Sequence, residues 1–404
     1  MSRIDDLIAE LCPDGVEYRA LGDMASFRRG TSMTRKDIGD GQIPVIAGGR
    51  TPAYYHDKSN RTGETIVVAG SGAYAGFVTF WTTPIFVSDA FSVHPNTDIL
   101  LAKYVYYFLL ARQLEIHEKK SGGGVPHVKG SDLSPFKIPV PPLEVQREIV
   151  AILDTFAELE AELEAELEAR KRQYEYYRDA LLRLDGKSGI KWIDVLCPDG
   201  VERKALGECG TIFGGLTGKS KTDFVSGNAR FVSYVNVLNH ISVDTNANDF
   251  VYIGPAERQR TLMRGDILLT GSSETPNEVA LSSVVTDNIE QPLYLNSFCI
   301  GYRLHDNELL NPDFSKHLFR SIWLREQLVR TASGVTRFNV SKNRLGKVRI
   351  PLPSLEVQRE IVNVLDKFDA LVNDLSIGLP AELAARRKQY EYYRDQLLTF
   401  KEAV

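Results

Sequence analysis

Apolar side chains at Ile149, Leu153, Phe156, Leu159, Leu163 and Leu167, and later Tyr174, Tyr177 and Leu181, recur at steps of three and four. That spacing marks one face of a helix. Unbroken from Leu143 to Leu184, it would be about 63 Å long at about 1.5 Å per residue, longer than a lone domain helix and suited to a coiled-coil strut. A second stripe runs through Ile361, Leu365, Phe368, Leu371 and Leu375 and then meets Gly378 and Pro380, which should break or kink it before a restart at Ala381. Between Ala157 and Glu168 the first helix repeats the tetrad AELE, so its leucines should wind slowly round the axis with glutamates on the solvated faces.

Outside these stripes the pattern changes to short β-rich runs bounded by Gly, Pro and Ser: Ile43 to Ala47, Thr65 to Ala69, Phe77 to Trp81, Ile85 to Val87, Phe231 to Val235, Ile267 to Thr270 and Val279 to Val285. Ile99 to Lys119 and Pro312 to Ala332 are helical in period. The expected class is mixed α/β.

Internal repeats fix the organisation. LCPDGVE at Leu11 to Glu17 recurs at Leu196 to Glu202, an offset of 185; LEVQREIV at Leu143 recurs at Leu355, an offset of 212; QYEYYRD at Gln173 recurs at Gln389, an offset of 216. The second module is therefore longer by 27 residues and the second helix by four, about one helical turn. Between these blocks only fragments echo: GETIVVAGS at Gly63 against GDILLTGS at Gly265, and SGGGVPHV at Ser121 against SGVTRFNV at Ser333. An invariant frame around variable contents suggests two modules that dock alike and read different things. The chain then divides into a first recognition domain (1–142), a first spacer helix (143–184), a second recognition domain (185–354) and a second spacer helix (355–404), broken near 378–380. A chain ordered module, strut, module, strut closes into a pseudo-twofold circular arrangement only if the two long helices pair antiparallel as a coiled coil, with the termini close together.

Net charge is -5 over 404 residues, but it is unevenly spread. Residues 17–142 hold 14 Lys+Arg against 11 Asp+Glu, residues 201–354 hold 18 against 15, and 143–184 hold 6 against 11. Each module is thus mildly basic, as DNA contact favours. Lys119, Lys120, His127 and Lys129 surround the glycine loop at Gly122 to Gly124; Arg330, Arg337, Asn339, Lys342, Asn343 and Arg344 surround Gly334. Arg, Lys and Asn serve phosphate positioning and major-groove reading; a solvated polar loop is the plainer alternative. Arg50, Tyr54, Lys58, Ser71 and Tyr74 complete the DNA-contact candidates of the first module, and Lys219, Lys221, Arg230, Ser272 and Asn277 those of the second.

Catalytic motifs fail on inspection. GGLTGKS at Gly214 lacks the phosphate-loop spacing, because Phe213 stands where glycine is needed. GSGAYAG at Gly70 leads into another strand rather than a helix N-terminus. NPDF at Asn311 lacks the second proline of an amino-methyltransferase motif, and Glu118-Lys119-Lys120 is half of a nuclease pattern. Cys12, Cys197, Cys209 and Cys299 form no CxxC pair, so buried reduced thiols are expected rather than zinc. The N-terminus carries no signal-like apolar run, and Ile99 to Ile116 is interrupted by Lys103 and Arg112, so a cytoplasmic protein is expected.

The doubled LCPDGVExxxLG, IPxPxLEVQREIVxxLDxF and QYEYYRDxLL blocks resemble the specificity (S) subunit of type I restriction-modification systems over nearly the whole chain. The AELE strut and IGLPAELAARRKQYEYYRD at Ile377 most resemble the IC-type branch. The resemblance implies a non-catalytic subunit whose two target-recognition domains each bind one half of an asymmetric bipartite site in double-stranded DNA, while the helices set the spacer and bind two methyltransferase subunits. Translocase/nuclease subunits join through the methyltransferase, and S-adenosylmethionine, ATP and Mg belong to those partners. The subunit interface is expected at the exposed parts of QRE (Gln146, Arg147, Gln358, Arg359), at Phe156 and Phe368, and at the tyrosines Tyr174, Tyr176, Tyr177, Tyr390, Tyr392 and Tyr393. Alternatively those tyrosines seal the helices against the modules. The competing function is an orphan two-module DNA-binding or scaffold protein without enzymatic partners.

Overall fold

A computed structural model describes residues 3–33, 40–122, 124–185, 189–198 and 200–403; Gly123 of the first glycine loop and Asp199 of the second LCPDGVE block lie outside them. The chain forms two compact units, Met1–Ala165 with Glu382–Val404, and Glu166–Ala381. One helix, Leu143–Arg183, contributes its first part to one unit and its second part to the other.

The first unit contains β1 (Tyr18–Ala20), β2 (Ala25–Arg29), β3 (Ile43–Ile46), β4 (Tyr54–His56), β5 (Thr65–Ala69), β6 (Val78–Trp81), β7 (Phe86–Val87), β8 (Ala90–Pro95) and β9 (Lys137–Pro139). The second contains β10 (Arg203–Ala205), β11 (Gly210–Gly214), β12 (Ala229–Val232), β13 (Phe250–Val251), β14 (Ile267–Thr270), β15 (Ser272–Ser273), β16 (Ser282–Val284), β17 (Leu293–Leu295), β18 (Cys299–Leu304), β19 (Ala332–Ser333), β20 (Phe338–Val340) and β21 (Arg349–Pro351). Each unit builds an antiparallel four-stranded sheet, in the order β2-β8-β5-β6 in one and β11-β18-β14-β16 in the other. Each adds a three-stranded sheet whose middle strand has one antiparallel and one parallel neighbour, β4-β3-β7 and β13-β12-β17. Two modules that hardly align in sequence thus share one topology. The continuous apolar runs TIVVA and ILLT explain themselves: β5 and β14 are buried at every position, as central strands covered on both faces must be.

The repeated blocks meet where each module begins and ends. β1 pairs antiparallel with β9 (Arg19 opposite Ile138), and β10 with β21 (Lys204 opposite Ile350). The same flanking bonds recur: Leu21 N donates to Phe136 O at 2.8 Å and Leu206 N to Val348 O at 2.9 Å. Each module is therefore closed by a three-rung backbone clasp.

Buried positions in the first part of the long helix join the core of the first module. Val145, Ile149 and Leu153 share a cluster with Ile66 and Val68 of β5, Val93 of β8, and Tyr104 and Phe108 of helix Ala102–Ala111. Burying an aliphatic side chain of this kind contributes roughly 1.5–3 kcal/mol. Within the first unit the helix Leu379–Leu397 runs antiparallel to the long helix: Arg387 binds Glu160 (2.6 Å) and Glu164, and further along Tyr393 stacks on Phe156 with centroids 5.5 Å apart. Two of the tetrad glutamates are thus paired rather than bare. In the second unit Tyr177 stacks on Phe368 of helix Leu355–Asn373 at the same 5.5 Å. In the first unit Val16 also pairs with Glu402, which brings the two ends of the described chain together.

Several expected elements shift. The second helix does break, but it restarts at Leu379, so Pro380 sits in a first turn, where its missing N–H costs nothing. Phe231 to Val235 is strand only as far as Val232; the Ser233 side chain accepts from Asn236 N and starts a helix, Tyr234–Asn239. Pro312 to Ala332 divides into Pro312–Leu318, capped by Asn311, and Ile322–Val329. Leu159 and Leu375 are exposed: the tetrad stripe drifts off the contact face, and Leu375 lies beyond the helix end.

Candidate nucleic-acid interface

In the second unit the two echoing fragments come together. Ser272, at the end of GDILLTGS, pairs with Asn339 of the SGVTRFNV segment, and Val340 N donates to Gly271 O at 2.9 Å. Around that pairing lies a concavity of about 310 Å³ lined by Ser272, Phe298, Arg337, Asn339 and Lys342 and by no acid. Arg337 Nε donates to Ser272 Oγ at 2.8 Å, and its guanidinium lies 5.3 Å from the Phe298 ring centroid. Arg344 donates to Ser333 Oγ at 2.8 Å on the same loop, where Ser341 caps the short helix Lys342–Leu345. Four expected DNA contacts, Ser272, Arg337, Asn339 and Lys342, thus converge. Phe298 is the member that sequence reasoning missed.

The first unit repeats the arrangement with other side chains. Ser71 bridges to His127, and Val128 N donates to Gly70 O at 3.1 Å. The Ser71 hydroxyl donates to Asp89. Arg50 lies over Tyr74 at 5.0 Å and over Phe77 at 5.2 Å. Lys120 Nζ donates to Ala73 O at 3.0 Å and Gln113 Nε2 to Gly76 O at 2.7 Å, pinning the Tyr74 loop. In the second unit Arg325 does this work, donating to Val279 O and to Asn277 O.

Other candidates stand apart from these clusters. Lys219 corrects an expectation: its ammonium donates to Tyr252 O at 2.6 Å and to Glu257 at 2.5 Å, its side chain is 5% exposed, and it holds the Glu257 carboxyl down at about 2. It is a structural tie rather than a free cation. Arg230 lies over Phe250 and lines a different concavity with Asp287 and Glu290. Tyr54 donates its hydroxyl to Met33 O at 3.1 Å. Lys119 lines a depression with Glu115, Glu118 and Asp132. Lys58, Lys129 and Lys221 are exposed on loops and helix starts, and Asn277 is exposed beside Arg320 and Arg325.

The frame residues need a second correction. Gln146 and Gln358 are fully buried and out of a partner's reach. Gln146 Oε1 accepts from Leu101 N at 2.9 Å while Nε2 donates to Ile99 O and Pro141 O, both at 2.8 Å. Gln358 repeats this with Asn311 N at 2.7 Å and with Leu309 O and Pro353 O at 2.9 Å. Each glutamine fastens its module helix to the frame. Neighbouring positions add charge: Lys103 and Tyr107 bind Asp154, and Lys316 and His317 bind Asp366. Tyr174 is buried against His317, and Tyr390 lies near Phe156, so these rings work inside the chain. Arg147, Arg359, Tyr176, Tyr392 and Tyr393 are the exposed members of the set. The four cysteines are buried free thiols whose pKa burial raises, that of Cys299 to about 12. Among the described residues no helix is long and apolar enough to cross a membrane.

The profile of the "Type I restriction modification DNA specificity domain" matches the chain twice, over residues 13–169 and 198–385. The chain belongs to the type I restriction-modification specificity family. The EcoR124I/EcoR124II specificity subunit of Escherichia coli is 31% identical over 411 residues, covering 95% of this chain and 94% of that one. The S subunit of a type I restriction-modification system from M. genitalium shares the fold at a TM-score of 0.57 and 18% identity, covering 95% and 96% of the two chains. A chain from a structural study of type I R-M assembly and conformational transition gives 0.61 at 18% identity, covering 96% and 98%. The two solved chains share the mixed helix and sheet fold.

Proposed function

We propose that this chain gives a type I restriction-modification complex its DNA sequence specificity and catalyses no step itself. Each module reads one half of an asymmetric bipartite target in double-stranded DNA, and the helices set the unread spacer. The observation that carries this reading is the reading loop built twice on one plan with different side chains: Ser71 with His127 in one unit, Ser272 with Asn339 in the other. Same position, different donor and acceptor pattern is what two different half-sites require. The exposed lysines and arginines around each loop fix register through phosphates, and the polar side chains at the pairing face base edges.

Two methyltransferase subunits bind the frame, with Arg147, Arg359, Tyr176, Tyr392 and Tyr393 among the contacts. Restriction subunits join through them, in the cytoplasm. S-adenosylmethionine, ATP and Mg act on those partners. Co-expression with a methyltransferase subunit tests the reading: a two-to-one complex by native mass measurement, methylating one bipartite sequence in a host methylome, is expected. Methyl transfer or cleavage by the purified chain alone would overturn it.

A further inference from the structure

Phe298 is out of place for a core residue. It is 54% exposed although Cys299 and Ile300, next in the chain, are buried. One side of its ring is occupied by the Arg337 guanidinium, which is fixed a second time by Ser272. Asn339 and Lys342 complete the wall. The first unit also sets an exposed ring against a guanidinium, but on other loops: Tyr74, 44% exposed, lies against Arg50 at 5.0 Å near the Ser71 and His127 bridge, while Asp89, whose carbonyl accepts from Gly70 N as that of Phe298 does from Gly271 N, occupies the position of Phe298.

Building on the specificity reading above, we propose that Arg337 reads a guanine through its O6 and N7 and that Phe298 packs on the 5-methyl of a thymine in the adjacent base pair. A ring that wedges between base pairs needs both faces free, and Phe298 has one face covered. Its edge and second face remain. The side chains that share the concavity, Arg337, Asn339 and Ser272, are those that serve the major groove, where the thymine methyl is the apolar group on display. A guanidinium already held by a hydroxyl and a ring loses little freedom when it takes up its bidentate geometry.

The test uses the full chain with its methyltransferase partner and the target selected from a random DNA library. Each thymine is replaced in turn by deoxyuridine and each guanine by 7-deazaguanine. One thymine methyl should be worth about 4-fold in affinity to the wild type, the size of one buried CH₂, little to Phe298→Ala, and an intermediate amount to Phe298→Leu. Loss of N7 at the neighbouring guanine should cost the wild type about 10-fold or more and Arg337→Ala almost nothing, the size of a lost bidentate contact. A target in which no thymine shows this dependence on Phe298 overturns the inference, as does fluorescence of a 2-aminopurine probe that reports base unstacking by the wild type and not by Phe298→Ala. Failure to select any bipartite sequence would instead bring down the specificity reading itself.

Discussion

Replacing Gln358 by Met separates the frame from the reading site. The side chain keeps its length and becomes apolar, so no large cavity opens, but three buried backbone groups lose their partners: Asn311 N, Leu309 O and Pro353 O. Leaving a buried donor or acceptor unpaired costs about 1–3 kcal/mol each, so the loss should total at least about 3 kcal/mol. In a unit of this size that corresponds to a fall in Tm of roughly 6–12 °C. Thermal unfolding measures it, and amide exchange at Asn311 locates it, because that N–H loses the acceptor that protected it. The bases selected from a random library should be unchanged, since Gln358 is not among the residues lining the reading concavity. Gln146→Met should behave alike through Leu101. A Tm within about 2 °C of wild type, with Asn311 still protected, would refute the argument that these glutamines fasten module to frame.

Burial by itself would raise the Asp366 carboxyl, but hydrogen bonds from His317 and Lys316 outweigh it and hold the pKa below the usual range. A depressed carboxyl contributes stability that is fully present above its ordinary pKa, about 4, and is lost as pH falls through the lower folded value; Asp366→Asn should therefore be less stable near pH 7 and show a shallower loss in acid, both read by thermal unfolding against pH. Deleting one AELE tetrad removes about 6 Å of helix, equivalent to about two base-pair rises, so the unread gap should contract by about two pairs in a library selection; an unchanged gap sinks the ruler. Tyr176→Ala and Tyr392→Ala, at positions 65% and 63% exposed, should leave unfolding within about 0.5 kcal/mol of wild type yet weaken methyltransferase capture by about 5-fold or more, as buried interface aromatics do; undiminished capture removes them from the interface.

The long helices were legible because their stripes run through many turns, and the duplication because identical blocks need no physics to detect. The clasp was not: β1 and β9 are three-residue strands, too short for a period of two to register, and they pair across more than a hundred residues. Gln146 and Gln358 read as surface because they are polar, although Gln146, Ile149 and Leu153 step by three and four along one face, a signal that places the glutamine inside. Lys219 looked like a free cation because its partner Glu257 arrives from a distant loop. Phe298 sits alone in a loop with no periodic neighbour; only the fold sets it beside Arg337. The GS and HV/NV echoes, by contrast, were visible as fragments, and their meeting in each unit explains why just those fragments persist.

The three-rung clasp has a consequence for how such a protein changes. Because the chain leaves a module beside the point where it came in, the path outside is indifferent to what is folded inside, and the two clasps already tolerate contents differing by 27 residues. Near-identical sequence flanks both cassettes, so crossing-over between related genes can trade one whole reader for another, and a host lineage can acquire a new target in a single genetic event while the apparatus that binds its partners stays intact.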